Sequence, residues 1–176
     1  VSVIVNYLPV ISAGDDRAIC YGDSTLLEAS GAGVGGFYSW EGGLIDGEMH
    51  FPIETDVLTV IGTDINGCEN SDELLIYIYE NPVIIAGVDT EICDGDEVTL
   101  AGEGAGVDGV YEWEDGFVDG DTFVPAETAW YYLTGMDENE CYASDSVHII
   151  VNPLPIINAG EDTAICYADD IILSAS

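Results

Sequence analysis

The sequence has almost no basic side chains. One arginine, Arg17, and no lysine stand against 35 Asp and Glu residues, which gives a formal net charge of −34 at pH 7. Such a chain cannot neutralise phosphate groups, so nucleic acid is excluded as a partner. An anionic membrane surface is excluded for the same reason. Cations are what this chain attracts, because they screen its self-repulsion.

Long apolar runs are also missing. No stretch approaches the roughly 18 apolar residues of a membrane-spanning helix, so no membrane insertion is expected. Val1 opens directly in the strand-like sequence VSVIVN, without an initiator Met or a signal peptide, and we expect the chain to be part of a longer one. Hydrophobic residues nevertheless make up 48% of the chain, which is enough for packed cores.

The residue patterns of common active sites are absent as well. There is no Cys-x-x-Cys pair, and His50 and His148 stand alone in strand-like sequence, so neither zinc nor Cys–His catalysis is supported. Among 35 acidic residues, a glycosidase-like carboxylate pair is better explained by coincidence. We therefore expect no enzyme activity and no catalytic residue.

What the sequence does contain is an internal repeat. Residues 81–107 and 152–176 restate residues 7–34, and the offset of 73 never drifts. The positions that recur at this spacing are Gly14, Gly87 and Gly160; Cys20, Cys93 and Cys166; Trp40 and Trp113; and Cys68 and Cys141. A constant period without insertions indicates tandem domains.

The period sets the predicted domain boundaries. Two complete repeats occupy residues 9–81 and 82–154. Residues 1–8 are predicted to be the last strand of a preceding repeat, and residues 155–176 the start of a following one.

Each repeat has the periodicity of β-strands. Short runs such as FYSW, DVLTVIGTD and DELLIYIY are rich in β-branched and aromatic residues and are separated by Gly and Asp. The pair Asn66-Gly67 between two such runs predicts a hairpin, since both residues tolerate positive φ. Six or seven short strands in ~73 residues suit a minimal two-sheet β-sandwich.

The repeated residues resemble a known family. The pattern P-x-x-x-AG-x-D-x-x-IC-x-G-D-x-x-x-L, followed by Y-x-W and G-T-D-x-N-G-C, is similar to the Ig-like or PKD-like repeats of very large Bacteroidetes cell-surface or secreted proteins. In the first repeat it is carried by Pro9, Ala13, Gly14, Asp16, Ile19, Cys20, Gly22, Asp23, Leu26, Tyr38, Trp40, Gly62, Thr63, Asp64, Asn66, Gly67 and Cys68. The chain departs from the pattern at Met136, Glu140 and Ala168.

The resemblance implies an all-β fold of tandem Ig-like or PKD-like β-sandwich domains in a linear array. It also implies a secreted, extracellular or cell-surface location. By analogy, strands of the first repeat lie at 9–20, 24–30, 37–40, 49–53, 56–64 and 72–79. Trp40 and Trp113 are interpreted as core residues. The position equivalent to Trp130 in the first repeat is occupied by Val57. Trp130 is therefore the better candidate for an exposed ligand-binding aromatic residue.

The five cysteines leave two pairings open. Cys20 with Cys68, and Cys93 with Cys141, would close a bond inside each repeat. Strand direction argues against this, because the two turns that carry these cysteines lie at opposite ends of an antiparallel sandwich. In a head-to-tail array Cys20 would instead pair with Cys141 of the next repeat. Cys68, Cys93 and Cys166 would then pair with partners outside this sequence.

Two kinds of modification or binding site are predicted from short patterns. Carboxylate-rich loops make calcium plausible, and the set expected between repeats is Asp23, Glu80, Asp137, Glu138 and Glu140, although none matches the twelve-residue EF-hand loop. The alternative is a solvated acidic surface. Asp-Ser/Thr-apolar triplets place candidate O-glycosylation sites at Ser24, Ser146 and Thr163. No other cofactor is expected.

These observations favour a structural role. The leading hypothesis is a repeat segment of an extracellular filament, stalk or giant surface adhesin, whose partners are neighbouring repeats and identical chains. The alternative is an adhesive or carbohydrate-binding module that contacts surface glycans, or an accessory region of a large secreted enzyme. The near-equivalence of the two repeats favours the first, because a dedicated binding site usually makes one repeat diverge.

Overall fold

The chain folds into β-strands and turns. A computed structural model describes residues 1–173; residues 174–176 of the predicted third repeat lie outside this range. The strands of the first repeat are β1 Arg17–Cys20, β2 Thr25–Leu26, β3 Phe37–Trp40, β4 Met49–His50, β5 Asp56–Thr63 and β6 Glu69–Tyr79. Those of the second are β7 Thr90–Cys93, β8 Val98–Thr99, β9 Val110–Trp113, β10 Thr122–Phe123, β11 Ala129–Met136 and β12 Tyr142–Asn152.

Every strand of the second repeat begins and ends 73 residues after its counterpart in the first. The helical segments of residues 1–173 are two three-residue 3₁₀ turns, Glu41–Gly43 and Glu114–Gly116, which occupy equivalent places. No helix in this part of the chain has the length and apolarity to cross a membrane. The predicted all-β fold class is therefore confirmed.

The strands of the first repeat form two sheets. One has the order β1-β6-β5-β3, with β1 parallel to β6 and the other neighbours antiparallel. The other pairs β2 with β4, and a bridge between Ser12 and Ser30 extends it. The second repeat has the corresponding orders β7-β12-β11-β9 and β10-β8. Two sheets joined in this order form an Ig-like β-sandwich.

The predicted first strand, 9–20, is divided between the two sheets. Ser12 pairs with Ser30 in one sheet, whereas Arg17 pairs with Ile76 in the other. Gly14 lies at the crossing with φ of +92°, a left-handed conformation that glycine adopts without strain. A single strand was the wrong expectation here, because the chain must change sheets within a few residues.

The core of the first repeat lies between its sheets. Its buried members are Ile11, Ala13, Leu27, Ala29, Ala32, Trp40, Leu58, Val60, Leu74, Ile76 and Ile78. Trp40 is 2% exposed, and so is Trp113 at the equivalent position of the second repeat. Both tryptophans are therefore core residues, as the sequence pattern predicts.

The described residues divide into two compact units. The first comprises Val1–Ile84, Gly104–Tyr111 and Thr134–Ser144, and the second comprises Ile85–Glu103, Glu112–Leu133 and residues 145–173. The hairpin that joins β11 to β12 thus belongs to the first unit.

The hairpin between β5 and β6 forms as predicted but with a different turn. Gly67 has φ of +80°, whereas Asn66 does not have positive φ. The N–H of Gly67 donates to the carbonyl of Asp64 at 3.0 Å. One left-handed residue after a tight turn is the geometry of a three-residue hairpin loop with a bulge, so only the glycine needs its conformational freedom.

Candidate functional site

The two cysteines of each repeat lie at opposite ends of its longest strand. In the parallel pair β1–β6, Cys20 stands opposite Tyr79, the last residue of β6. Cys68 immediately precedes Glu69, the first residue of this 11-residue strand. At ~3.3 Å per residue, the strand separates the two cysteines by roughly 35 Å. A disulfide needs Cα atoms within ~7 Å, so the bond cannot form inside the repeat.

The structure contains a disulfide between Cys20 and Cys141. Their Cα atoms are 5.5 Å apart, and they lie 121 positions apart in sequence. Both belong to the first compact unit, and Cys141 is fully buried. This is the pairing that strand direction favours, and the alternative pairs Cys20–Cys68 and Cys93–Cys141 are not formed. Within residues 1–173 the free cysteines are Cys68, Cys93 and Cys166.

An aspartate holds the backbone on which Cys141 is presented. Asp137 Oδ1 accepts the N–H groups of Asn139 and Cys141, both at 2.9 Å. Asp64 does the same for Asn66 and Cys68, both at 2.8 Å. Accepting the Cys68 N–H is the main cause that lowers the pKa of Asp64 below its ordinary value. Each hairpin cysteine is therefore positioned by a carboxylate within its own loop.

The other cysteine of each repeat ends a short strand at a tight turn. The N–H of Asp23 donates to the carbonyl of Cys20 at 3.0 Å, and the N–H of Asp96 donates to that of Cys93 at 3.0 Å. The N–H of Asp169 donates to the carbonyl of Cys166 at 3.1 Å. All three copies of this cysteine thus precede the same tight turn, while Cys20 and Cys93 also end a strand.

Glu140 is strained in the hairpin that carries Cys141. Its φ is +63°, at the position that Gly67 fills with φ of +80° in the first repeat. A side chain in this left-handed region costs about 1–2 kcal/mol, which the greater unfolded-state entropy of glycine partly offsets. We expect Glu140→Gly to raise the free energy of unfolding by about 1 kcal/mol, measured by urea denaturation. The reciprocal control, Gly67→Glu, should lower it, and a Glu140→Gly variant less stable than the parent would contradict the strain.

The residues predicted to bind calcium are not assembled into a metal site. Asp23, Glu80, Glu138 and Glu140 are exposed, and Asp137 directs an oxygen to its own loop. Across residues 1–173 no group of three or more His, Cys, Asp or Glu side chains is placed to hold a metal ion. Calcium binding therefore stays a prediction.

The predicted O-glycosylation residues differ in accessibility. Thr163 is exposed, whereas Ser24 and Ser146 are half-buried, the latter within β12. Glycosylation at these residues stays a prediction.

Sequence reasoning missed the structural use of many carboxylates. Asp72 Oδ2 accepts the N–H of Ala13 at 2.8 Å, and Asp16 Oδ1 accepts the N–H of Leu75 at 2.9 Å. Together they tie the two segments on either side of the sheet crossing at Gly14 to β6. The same hydrogen bonds occur in the second repeat. There Asp145 Oδ2 accepts the N–H of Ala86, and Asp89 Oδ1 accepts the N–H of His148. Recurrence of these aspartates at the 73-residue offset was the signal that could have revealed them.

Asp145 gives the carboxylate bonds a testable pH dependence. Accepting the Ala86 N–H is the main cause that lowers its pKa below the ordinary value of 3.8. A lowered folded-state pKa contributes stability above the unfolded value, and that contribution is lost as pH falls through the folded one. We expect Asp145→Asn to unfold more easily than the parent at pH 7, with the deficit narrowing below about pH 4.

Urea denaturation at pH 7, 5 and 3 measures this deficit. Glu97→Gln, at an exposed acid, is the matched control and should leave stability nearly unchanged. A deficit of Asp145→Asn that is the same at all three pH values would show that ionisation of this carboxylate is irrelevant.

Trp130 lies on an exposed aromatic face of the second unit. It is 50% exposed, and its ring stacks on His148 with centroids 4.5 Å apart and planes 14° from parallel. Tyr132, two residues further along β11 and on the same face, is 49% exposed. The equivalent residues of the first repeat are Val57 and Thr59, so this aromatic face is specific to the second.

Comparisons with known proteins find only solved structures of low similarity. No family model and no curated protein matches the chain. Among solved structures, insect hemolin is similar over 82% of this chain and 47% of its own, with 14% identity and a TM-score of 0.44. Extracellular domains 3–5 of Drosophila OTK match 82% of this chain and 60% of that one, with 12% identity and a TM-score of 0.41.

The N-terminal eight Ig domains of Down Syndrome Cell Adhesion Molecule match 85% of this chain and 29% of that one, with 16% identity and a TM-score of 0.38. The chain thus spans only part of the length of these three proteins. Since the identities and TM-scores are low, the Ig-like fold stands on the strand pairing described above.

Proposed function

We propose that the chain is a structural repeat segment of an extracellular filament, stalk or giant surface adhesin. The observation that carries this proposal is the Cys20–Cys141 disulfide, which joins a cysteine of the first repeat to the hairpin cysteine of the second. Disulfides persist in oxidising compartments, which supports a secreted or cell-surface location. A covalent bond between successive repeats suits a molecule whose task is to transmit tension.

The high negative charge is consistent with this role. Modules that carry a net charge of −34 per 176 residues repel one another, which keeps a long polymer soluble. In the proposed role the carboxylates that accept backbone N–H groups hold the sheets, and the remaining acids form a solvated surface. Calcium at the carboxylate-rich loops, if bound, would reduce this repulsion locally and stabilise the folded form.

An in-frame deletion distinguishes a structural segment from a ligand-binding one. Removing residues 82–154 from the full-length protein keeps the 73-residue register, so the cysteines of the remaining repeats stay correctly spaced. The surface structure should shorten by roughly 35 Å, about the length of an 11-residue strand, and keep its binding properties. Unchanged length with lost adhesion would contradict the structural role.

A second candidate function has its own observation. The exposed face formed by Trp130, Tyr132 and His148 offers flat aromatic surface that can stack on a sugar ring, and it occurs in one repeat only. The acidic surface around it would favour a neutral glycan over an acidic one.

Glycan-array binding by the whole chain tests this candidate. Trp130→Ala should reduce any binding at least tenfold, whereas Val57→Ala, at the equivalent position of the first repeat, should leave it unchanged. Absence of binding by the parent chain, or equal binding by both variants, would rule out a glycan site at this face.

A further inference from the structure

Cys93 and Cys68 each reproduce one half of the Cys20–Cys141 bond. Cys93 follows Cys20 by one repeat period, and Cys68 precedes Cys141 by one. Cys93 ends β7 and stands opposite Asn152 of β12, just as Cys20 ends β1 opposite Tyr79 of β6. Within the part of the chain that the structure describes, neither of the two is bonded: Cys93 is exposed and Cys68 is half-buried.

The backbone around Cys93 matches the backbone around the bonded Cys20. The residue after Cys93, Asp94, donates its N–H to the carbonyl of Asn152 at 2.8 Å, as Tyr21 does to Tyr79 at 2.8 Å. The turn that follows is closed in both repeats by a 3.0 Å hydrogen bond. Asp23 donates its N–H to the Cys20 carbonyl, and Asp96 donates its N–H to the Cys93 carbonyl. The thiol of Cys93 is therefore presented by the same local structure that presents Cys20.

The hairpin around Cys68 likewise matches the hairpin around the bonded Cys141. Asp64 donates its N–H to the carbonyl of Cys68 at 3.0 Å, and Asp137 does the same to Cys141 at 3.0 Å. In both hairpins the aspartate Oδ1 accepts the cysteine N–H. The two halves of the Cys20–Cys141 pairing geometry are thus repeated at Cys93 and Cys68, which are free thiols, one in each repeat.

We propose that Cys93 of one chain forms a disulfide with Cys68 of a second copy, so that repeats join head to tail whether or not they share a polypeptide. The inference rests on the proposed structural function and extends it to assembly between chains. The contact uses different surfaces on the two copies, so each copy keeps one free half of the bond with which to add a further copy.

The bond needs an oxidant, and a small-molecule disulfide such as oxidised glutathione suffices. The thiolate of Cys93 attacks one sulfur of this disulfide and releases one small thiolate, which leaves a mixed disulfide. The thiolate of Cys68 then attacks the Cys93 sulfur and releases the second small thiol. Two protein thiols are oxidised to one disulfide, one small disulfide is reduced to two thiols, and two protons pass from the protein to the small thiolates.

Complementation between two variants tests the proposal. Cys166→Ser is introduced throughout to remove the third free thiol. The Cys68→Ser variant then has Cys93 as its one remaining free thiol. The Cys93→Ser variant has Cys68 as its one remaining free thiol. Each is incubated with oxidised glutathione, alone and as an equimolar mixture, at about 1 M salt to shorten the Debye length to about 3 Å and suppress repulsion.

The mixture is expected to give a covalent dimer of twice the 18.7 kDa chain mass on a non-reducing gel. Each variant alone should stay monomeric, and the Cys166→Ser parent should form a ladder. Peptide mapping of the dimer should recover Cys93 joined to Cys68. A mixture that stays monomeric, or a Cys68→Ser variant that dimerises alone as well as the mixture does, would overturn the proposal.

The Cys20–Cys141 bond serves as the internal control in every sample. If it is present and the mixture yields no dimer, assembly between chains fails while the structural function of the single chain stands. If the Cys20–Cys141 bond is absent from the parent chain, the proposed structural function loses the observation on which it rests.

Discussion

Reduction of the Cys20–Cys141 disulfide is expected to lengthen the fully unfolded chain by about 400 Å under tension. The bond joins residues 121 positions apart in sequence, and an extended chain spans at most ~3.3–3.6 Å per residue. While the bond is intact, a force applied at the two termini passes through residues 1–20, the disulfide and residues 141–176. The enclosed residues are shielded, so most of both repeats cannot contribute to the extension.

Single-molecule pulling from the termini measures this difference. The parent chain should show the short contour length without reductant and the long one with it, whereas Cys141→Ser should show the long one in both conditions. Cys68→Ser is the matched control, because it removes a free thiol, and should behave as the parent does. The same long contour length for the oxidised parent and for Cys141→Ser would contradict the proposed force path.

Trp40→Ala is expected to cost about 3–5 kcal/mol of the stability of the first repeat. Trp40 is 2% exposed, and its indole N–H donates to Asp46 at 3.0 Å. Asp46 also accepts the N–H of Ala29 at 2.8 Å, so removing the indole leaves a cavity and breaks part of this network. Urea denaturation followed by far-ultraviolet circular dichroism measures the loss without depending on tryptophan fluorescence.

Two matched variants make the Trp40 result interpretable. Trp113→Ala should cost the second repeat a similar amount, since Trp113 is equally buried and donates to Asp119 at 2.9 Å. Trp130→Ala removes the same side chain from an exposed position and should cost less than about 1.5 kcal/mol, including its stacking on His148. Equal losses for Trp40→Ala and Trp130→Ala would show that Trp40 is not a core residue.

The repeat period made the fold predictable. Because the 73-residue offset holds without insertion, the strand pattern of one repeat predicts that of the other, and the two agree at every strand boundary. The buried tryptophans followed from their recurrence in the sequence. The crossing at Gly14 was missed because the segments on both sides of it have strand-like sequence, while the pairing partners of Ser12 and Arg17 belong to different sheets.

The site was only partly predictable. The disulfide followed from strand direction, which depends on the order of turns and not on side-chain contacts. The carboxylate bonds could not be predicted in the same way, because Asp72 and Ala13 are 59 residues apart and meet only in the folded sheet. The sequence pattern predicted that Asp137 binds calcium. In the structure its Oδ1 accepts two N–H groups of its own loop.

Peptide mapping of the oxidised chain tests the central claim most directly. Free thiols are first blocked by alkylation, and the chain is then cleaved without reduction by proteases that cut at Asp and Glu, since a single Arg leaves trypsin one site. The expected result is a peptide pair joined through Cys20 and Cys141, with Cys68, Cys93 and Cys166 alkylated. A pair joined through Cys20 and Cys68 would contradict the strand direction, the force path and the proposed function together.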